Sequence, residues 1–173
     1  MMGRALLIVG LMATLGLIAS AILGYGLDGP LGPAMQRHVL VALASCLLLL
    51  FSHCWIMFYL IGTGKAIKDA VKEHGLEQRL IEETKRYKNV SYPWLMLAIG
   101  SAMATFILGG GAATSSLPVW IHHVLFFVTL ASQARALQLE NRVLVENEAL
   151  MADIDRRLAT MAPVSGVGSG AGA

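Results

Sequence analysis

Residues 38–64, HVLVALASCLLLLFSHCWIMFYLIGTG, contain no Lys, Arg, Asp or Glu. A helix needs about 20 mostly apolar residues to cross the hydrocarbon core of a bilayer. This run meets that length with residues to spare, and its only ionisable nitrogens are those of His38 and His53. It therefore reads as a transmembrane helix, and the rest of the chain is read outward from it.

Upstream, Ala5 to Leu27 is again free of charge. Ala19-Ser20-Ala21 fits a signal-peptide cleavage site, but the apolar run is longer than a usual signal core, so an uncleaved helix is the preferred reading. Downstream, two further runs follow, at 92–112 and 117–134. The last is the shortest and continues into a helical pattern. Four spans result. The composition agrees: of 173 residues, 56% are hydrophobic and 14% charged, against about a quarter charged in soluble domains. This excludes a disordered chain and argues against an ordinary soluble enzyme. The net charge of +2 gives no field for nucleic acid.

Basic residues set the orientation. Of the 13 Lys and Arg, all except Arg37 lie before the first span, between spans two and three, or after span four. The termini and the 64–91 loop are therefore expected to be cytoplasmic, in a bacterial inner (plasma) membrane. Lys65 to His74 (KAIKDAVKEH) is built of good helix formers and extends span two. Gly75 suits a helix stop, and Leu76 to Lys88 resumes the helical pattern. Pro93 suits the first turn of span three, with Tyr92 and Trp94 at the membrane interface. In the tail, Leu137, Leu144, Met151 and Leu158 recur every seven residues. This predicts an amphipathic helix over 135–162 that packs on the inner hairpin. Residues 163–173 form a Gly/Ala/Ser tail of low complexity.

The fold expected is thus all-α: a four-transmembrane-helix bundle with a cytoplasmic helical hairpin and an amphipathic C-terminal helix. Residues 1–162 form one domain, with extensions at 64–91 and 135–162. Small residues at Gly16, Ser20 and Gly24, and at Gly100, Ala104 and Gly109–Gly111, suit close helix packing.

The chemistry is sparse. Cys46 and Cys54, about 12 Å apart along one helix, make neither a disulfide nor a metal motif. The sequence has no GxSxG and no HExxH. The spans carry no acidic or basic side chain, which argues against a proton relay, and no inverted repeat is visible. The residues from Ile61 to Lys65 lack the full phosphate-loop spacing and follow a membrane helix rather than a strand.

The histidines remain. His38, His122 and His123 fall at one depth near the outer face and are candidates for haem b or copper ligation. The plainer reading is interfacial histidines bonded to carbonyls or headgroups, with no cofactor. His53 lies deeper, without a histidine partner at its level, and is expected to bond to Ser, Thr or backbone, with Thr105 or Thr129 as candidates. Ser45, Ser52 and Tyr59 make a polar stripe directed into the bundle. It is the one feature in favour of a lipid- or small-solute-binding channel.

The favoured function is a non-catalytic structural or accessory subunit. Its partners are the lipid bilayer and other membrane subunits or a second copy of itself. The alternative is a haem- or metal-binding redox subunit.

Overall fold

The apolar runs fold as helices because only a helix satisfies every backbone N–H and C=O within one lipid-exposed segment. The computed structural model describes residues 2–25 and 32–161, and the 163–173 tail lies outside them. Four helices follow in order: α1 (Met2–Tyr25), α2 (Pro33–His74), α3 (Arg79–Ala113) and α4 (Val119–Met161). Three of them, α1, α2 and α3, are long and apolar enough to cross a membrane, with mean hydropathy of 2.5, 2.3 and 1.7. By the same measure α4 is not among them. His122, His123, Gln133 and Arg135 interrupt its apolar stretch.

Each helix packs on the next, α4 packs back on α1, and α2 and α4 also meet across the centre. Among the described residues the α1 and α3 backbones stay apart, on opposite sides of the bundle. Three apolar layers stack along this bundle. Ala13, Cys46, Leu49 and Ala102 form one end. Ile56, Leu60, Leu95 and Val143 lie at the middle. Ile67, Val71, Leu80 and Ile154 join the hairpin to the tail of α4. Outside the layers, Ile8, Leu15, Ile22, Phe58 and Ile107 are more than half exposed, as expected of side chains that face lipid.

The α2–α3 reversal is made at Gly75, whose φ of 65° and ψ of 30° lie in the left-handed region. The amides of Gly75 and Leu76 both donate to the Val71 carbonyl there, closing α2 as a glycine C-cap does. Arg157 donates to Glu77 at 3.1 Å and to Asp153 at 2.8 Å, tying tail to hairpin. These hydrogen bonds, that to Glu77 first, raise the Arg157 pKa above its ordinary value.

Two expectations need correction. Pro93 lies inside α3, not in its first turn. Tyr87 and Leu95 are buried on either side of it, and this packing carries the helix through a residue that would end an isolated one. An outer loop running from Gly109 to Leu117 is the other expectation, and it is shorter than that: Gly109–Ala113 belong to α3.

Candidate functional site

A cavity of about 640 Å³ opens between the ends of the helices at the Tyr25–His38 and Gly109–His123 level. Its walls are largely apolar or small, including Leu17, Ala42, Cys46, Ala102 and Phe126. The volume falls within the roughly 300–1,000 Å³ of small-molecule and cofactor sites.

His38 on α2 and His122 on α4 face each other across the bundle, with ring centroids 6.4 Å apart and planes at 82°. Each ring is braced in the same way. His38 Nδ1 lies 2.8 Å from the Ser20 carbonyl oxygen, and His122 Nδ1 lies 3.1 Å from that of Thr105. A carbonyl oxygen only accepts, so Nδ1 carries the proton in both rings. In the neutral imidazole the lone pair is then on Nε2, which neither brace occupies.

Glycines make room for both rings. A Cβ on Gly24 would lie 3.0 Å from His38 Cε1, and one on Gly109 would lie 2.8 Å from His122 Cε1. His123 sits nearer the mouth, its ring centroid 6.2 Å from that of His122 and 5.5 Å from that of Tyr25.

These correspondences expose an internal repeat. Ser20-Ala-Ile-Leu-Gly24 on α1 matches Thr105-Phe-Ile-Leu-Gly109 on α3, and each is followed by a helix bearing a braced histidine. Seven residues past each histidine, Ser45 bonds to the Val41 carbonyl and Thr129 to that of Leu125. The α1–α2 and α3–α4 hairpins thus share these local features. The small-residue spacing was visible in the sequence. The repeat itself would have emerged from aligning the two Ile-Leu-Gly segments.

His53 corrects the sequence reading further. Its partners are neither Thr105 nor Thr129, which bond to each other at 2.8 Å. His53 Nδ1 lies 2.5 Å from Glu140 Oε1 and Nε2 lies 2.7 Å from Gln133 Oε1. All three side chains are fully buried. An acidic group therefore does reach the core, from a residue two turns beyond the expected end of span four.

The hydrogen positions of this cluster follow from its acceptors. Thr14 Oγ1 donates to the Gly10 carbonyl. Gln133 Nε2 donates to Thr14 Oγ1 and to the Gly10 carbonyl. Gln133 Oε1 must then accept, so His53 Nε2 is protonated. A second proton lies between His53 Nδ1 and Glu140 Oε1. Whichever atom holds it, the pair has no net charge, which is the low-cost state in an apolar interior.

Among the described residues no group of three or more His, Cys, Asp or Glu is placed to hold a metal ion. The chain matches no protein family, no curated protein and no solved structure.

Proposed function

We propose that this chain is a four-span membrane protein that holds a b-type haem between α2 and α4, with His38 and His122 as axial ligands. The observation that carries the reading is the pair of opposed, identically braced imidazoles. Metal–imidazole bonds are about 2.0 Å long, so two imidazoles in trans on one metal have centroids about 6 Å apart; these stand at 6.4 Å. A histidine ligand commonly donates its other N–H to a carbonyl, which fixes its tautomer and aim. Both rings meet that condition.

The donor set favours haem over a bare ion. Copper or zinc needs three or four protein ligands, whereas a porphyrin brings four of its own and asks the protein for one or two. An apolar cavity lined by alanines and glycines suits a flat apolar macrocycle. Bound there, haem supplies one-electron chemistry. The chain's part is to aim Nε2 of each ring and to exclude water. Electrons must arrive and leave through another molecule, so the subunit role is included in this proposal.

The same reading makes the first half of α4 a fourth span. It packs along α3, and Gln133 turns inward with Thr129 and Ser132, all three buried. Arg135 lies over the Trp94 ring at 5.9 Å, a contact suited to the inner interface. Both termini then lie with the hairpin on the cytoplasmic side.

The test is an absorption spectrum of protein prepared with ample haem, oxidised and then reduced with dithionite. The expected result is a Soret band that shifts on reduction and is lost in His38→Ala and His122→Ala. A well-folded, haem-supplied protein with no such band overturns the haem assignment.

A further inference from the structure

The buried pair at His53 has an unfinished side. Glu140 Oε2 is buried and has no hydrogen-bond partner among the described residues, and neither has Asn147 Nδ2. Glu140 is 0% exposed and Asn147 1%. Natural cores rarely leave such atoms unpaired. The two residues are seven apart on α4, so they share a face two turns apart, a rise of about 10 Å. One atom accepts and the other donates. Three hydrogen bonds of about 2.8 Å each span roughly 8 Å, which is a carboxylate–water–water–amide file.

Asn147 also marks a route outward. Thr63 Oγ1 donates to the Tyr59 carbonyl at 3.0 Å and lies 3.3 Å from the Asn147 side-chain amide, and Thr63 is only partly buried, at the hairpin end of the bundle. Ile56, Leu60 and Val143 are buried apolar side chains of the same layer. Polar atoms at both ends and apolar walls between them are the setting in which ordered internal water is held.

We propose that a short file of internal water joins Glu140 to Asn147 and makes the His53–Glu140 pair a proton-binding site, loaded from the hairpin end of the bundle. The proton on the His53 Nδ1–Glu140 Oε1 line is the one exchanged: on loading, a water at Glu140 Oε2 passes a proton to the carboxylate and takes one from the next water of the file, which draws it from solvent, while the proton on the line settles on His53; the reverse sequence returns one proton to solvent. On the cluster's other side Gln133 is held by Thr14 and the Gly10 carbonyl. The pair lies on the same two helices as the outer imidazoles, so a proton taken up here offsets the charge of an electron arriving there. That consequence rests on the haem reading; the water file does not.

The test is ¹⁵N-histidine NMR of the full chain in lipid nanodiscs, with His53 assigned from the spectrum of His53→Leu. Magnetisation transfer from water to the His53 ring protons is expected in the native chain. Exchange of those protons with solvent should slow at least tenfold in Asn147→Leu, which extends the apolar wall. It should stay near the native rate in Asn147→Ser, which leaves room for water. Thr63→Val, at the mouth, should also slow it and serves if Asn147→Leu fails to fold. Absence of water transfer in the native chain overturns the proposal, as does equal exchange in the native and apolar variants. Neither readout involves a bound cofactor, so a colourless protein with fast His53 exchange would sink the haem assignment alone.

Discussion

Glu140 reaches across the bundle to His53, 87 residues earlier in the chain, and both side chains are fully buried. Breaking a buried pair by removing one partner typically costs about 3–5 kcal/mol, whereas replacing both by apolar groups is often neutral. Glu140→Leu and His53→Leu should each destabilise the protein by that order, and the double variant should recover most of the loss. Denaturant titration in detergent, arranged as a double-mutant cycle, measures this. Additive losses would mean that the two side chains do not act as a pair.

Gly24 and Gly109 lie against the His38 and His122 rings. Overpacking costs about 1–3 kcal/mol, so Gly109→Val should weaken haem binding by roughly tenfold or more, and Gly24→Val similarly. Gly100 has open space where a Cβ would stand, so Gly100→Val should bind as the native chain does. Haem titration followed at the Soret band reads all three. Equal affinities across the set would show that ring placement does not matter.

His123 stacks toward Tyr25 rather than across the bundle. His123→Ala should therefore keep the low-spin, two-histidine spectrum that His38→Ala and His122→Ala lose. If His123→Ala loses it and His122→Ala does not, the ligand on α4 has been misassigned.

Ile154 is 3% exposed, at the seam between the tail and the hairpin. Large-to-small changes at such sites cost about 2–5 kcal/mol. Ile154→Ala should loosen the tail without dispersing the layers above it. Hydrogen exchange of α4 beyond Leu150 should then rise while that of α4 near Thr129 stays protected. Uniform loss of protection would show that the seam and the bundle unfold as one.

Fourth-span topology is open to labelling. Replace Cys46 and Cys54 by Ser, then place single cysteines at Ser116, Gln78 and Thr160. In sealed vesicles a membrane-impermeant maleimide should reach Ser116→Cys from one side, and Gln78→Cys and Thr160→Cys from the other. If Ser116→Cys and Thr160→Cys react from the same side, α4 does not cross.

Much of the architecture was legible because lipid imposes a simple rule on sequence: long stretches without charge. Residues 38–64 and 5–25 obey it without ambiguity, and the Gly75 stop needs only local geometry. Pro93 was misread because a local preference was overruled by packing at Tyr87 and Leu95. Glu140 was missed for a different reason. Counting charges along the chain assigns a residue to water by its position, whereas its environment is set by the helix across from it. The outer histidines could be placed at one depth by adding helical rises. Their bracing by Ser20 and Thr105 uses backbone carbonyls, which leave no mark in side-chain identity.

The repeat has a mechanical consequence. Each hairpin contributes one imidazole, one bracing carbonyl and one relieving glycine, so half the chain holds half a grip. Whatever engages both rings is a clasp between hairpins that meet elsewhere through α2 on α3, α1 on α4 and the α2–α4 centre. Binding energy at that clasp adds to the cohesion of the bundle by mass action. On the haem proposal, loading the site and holding this end of the bundle together are then a single equilibrium.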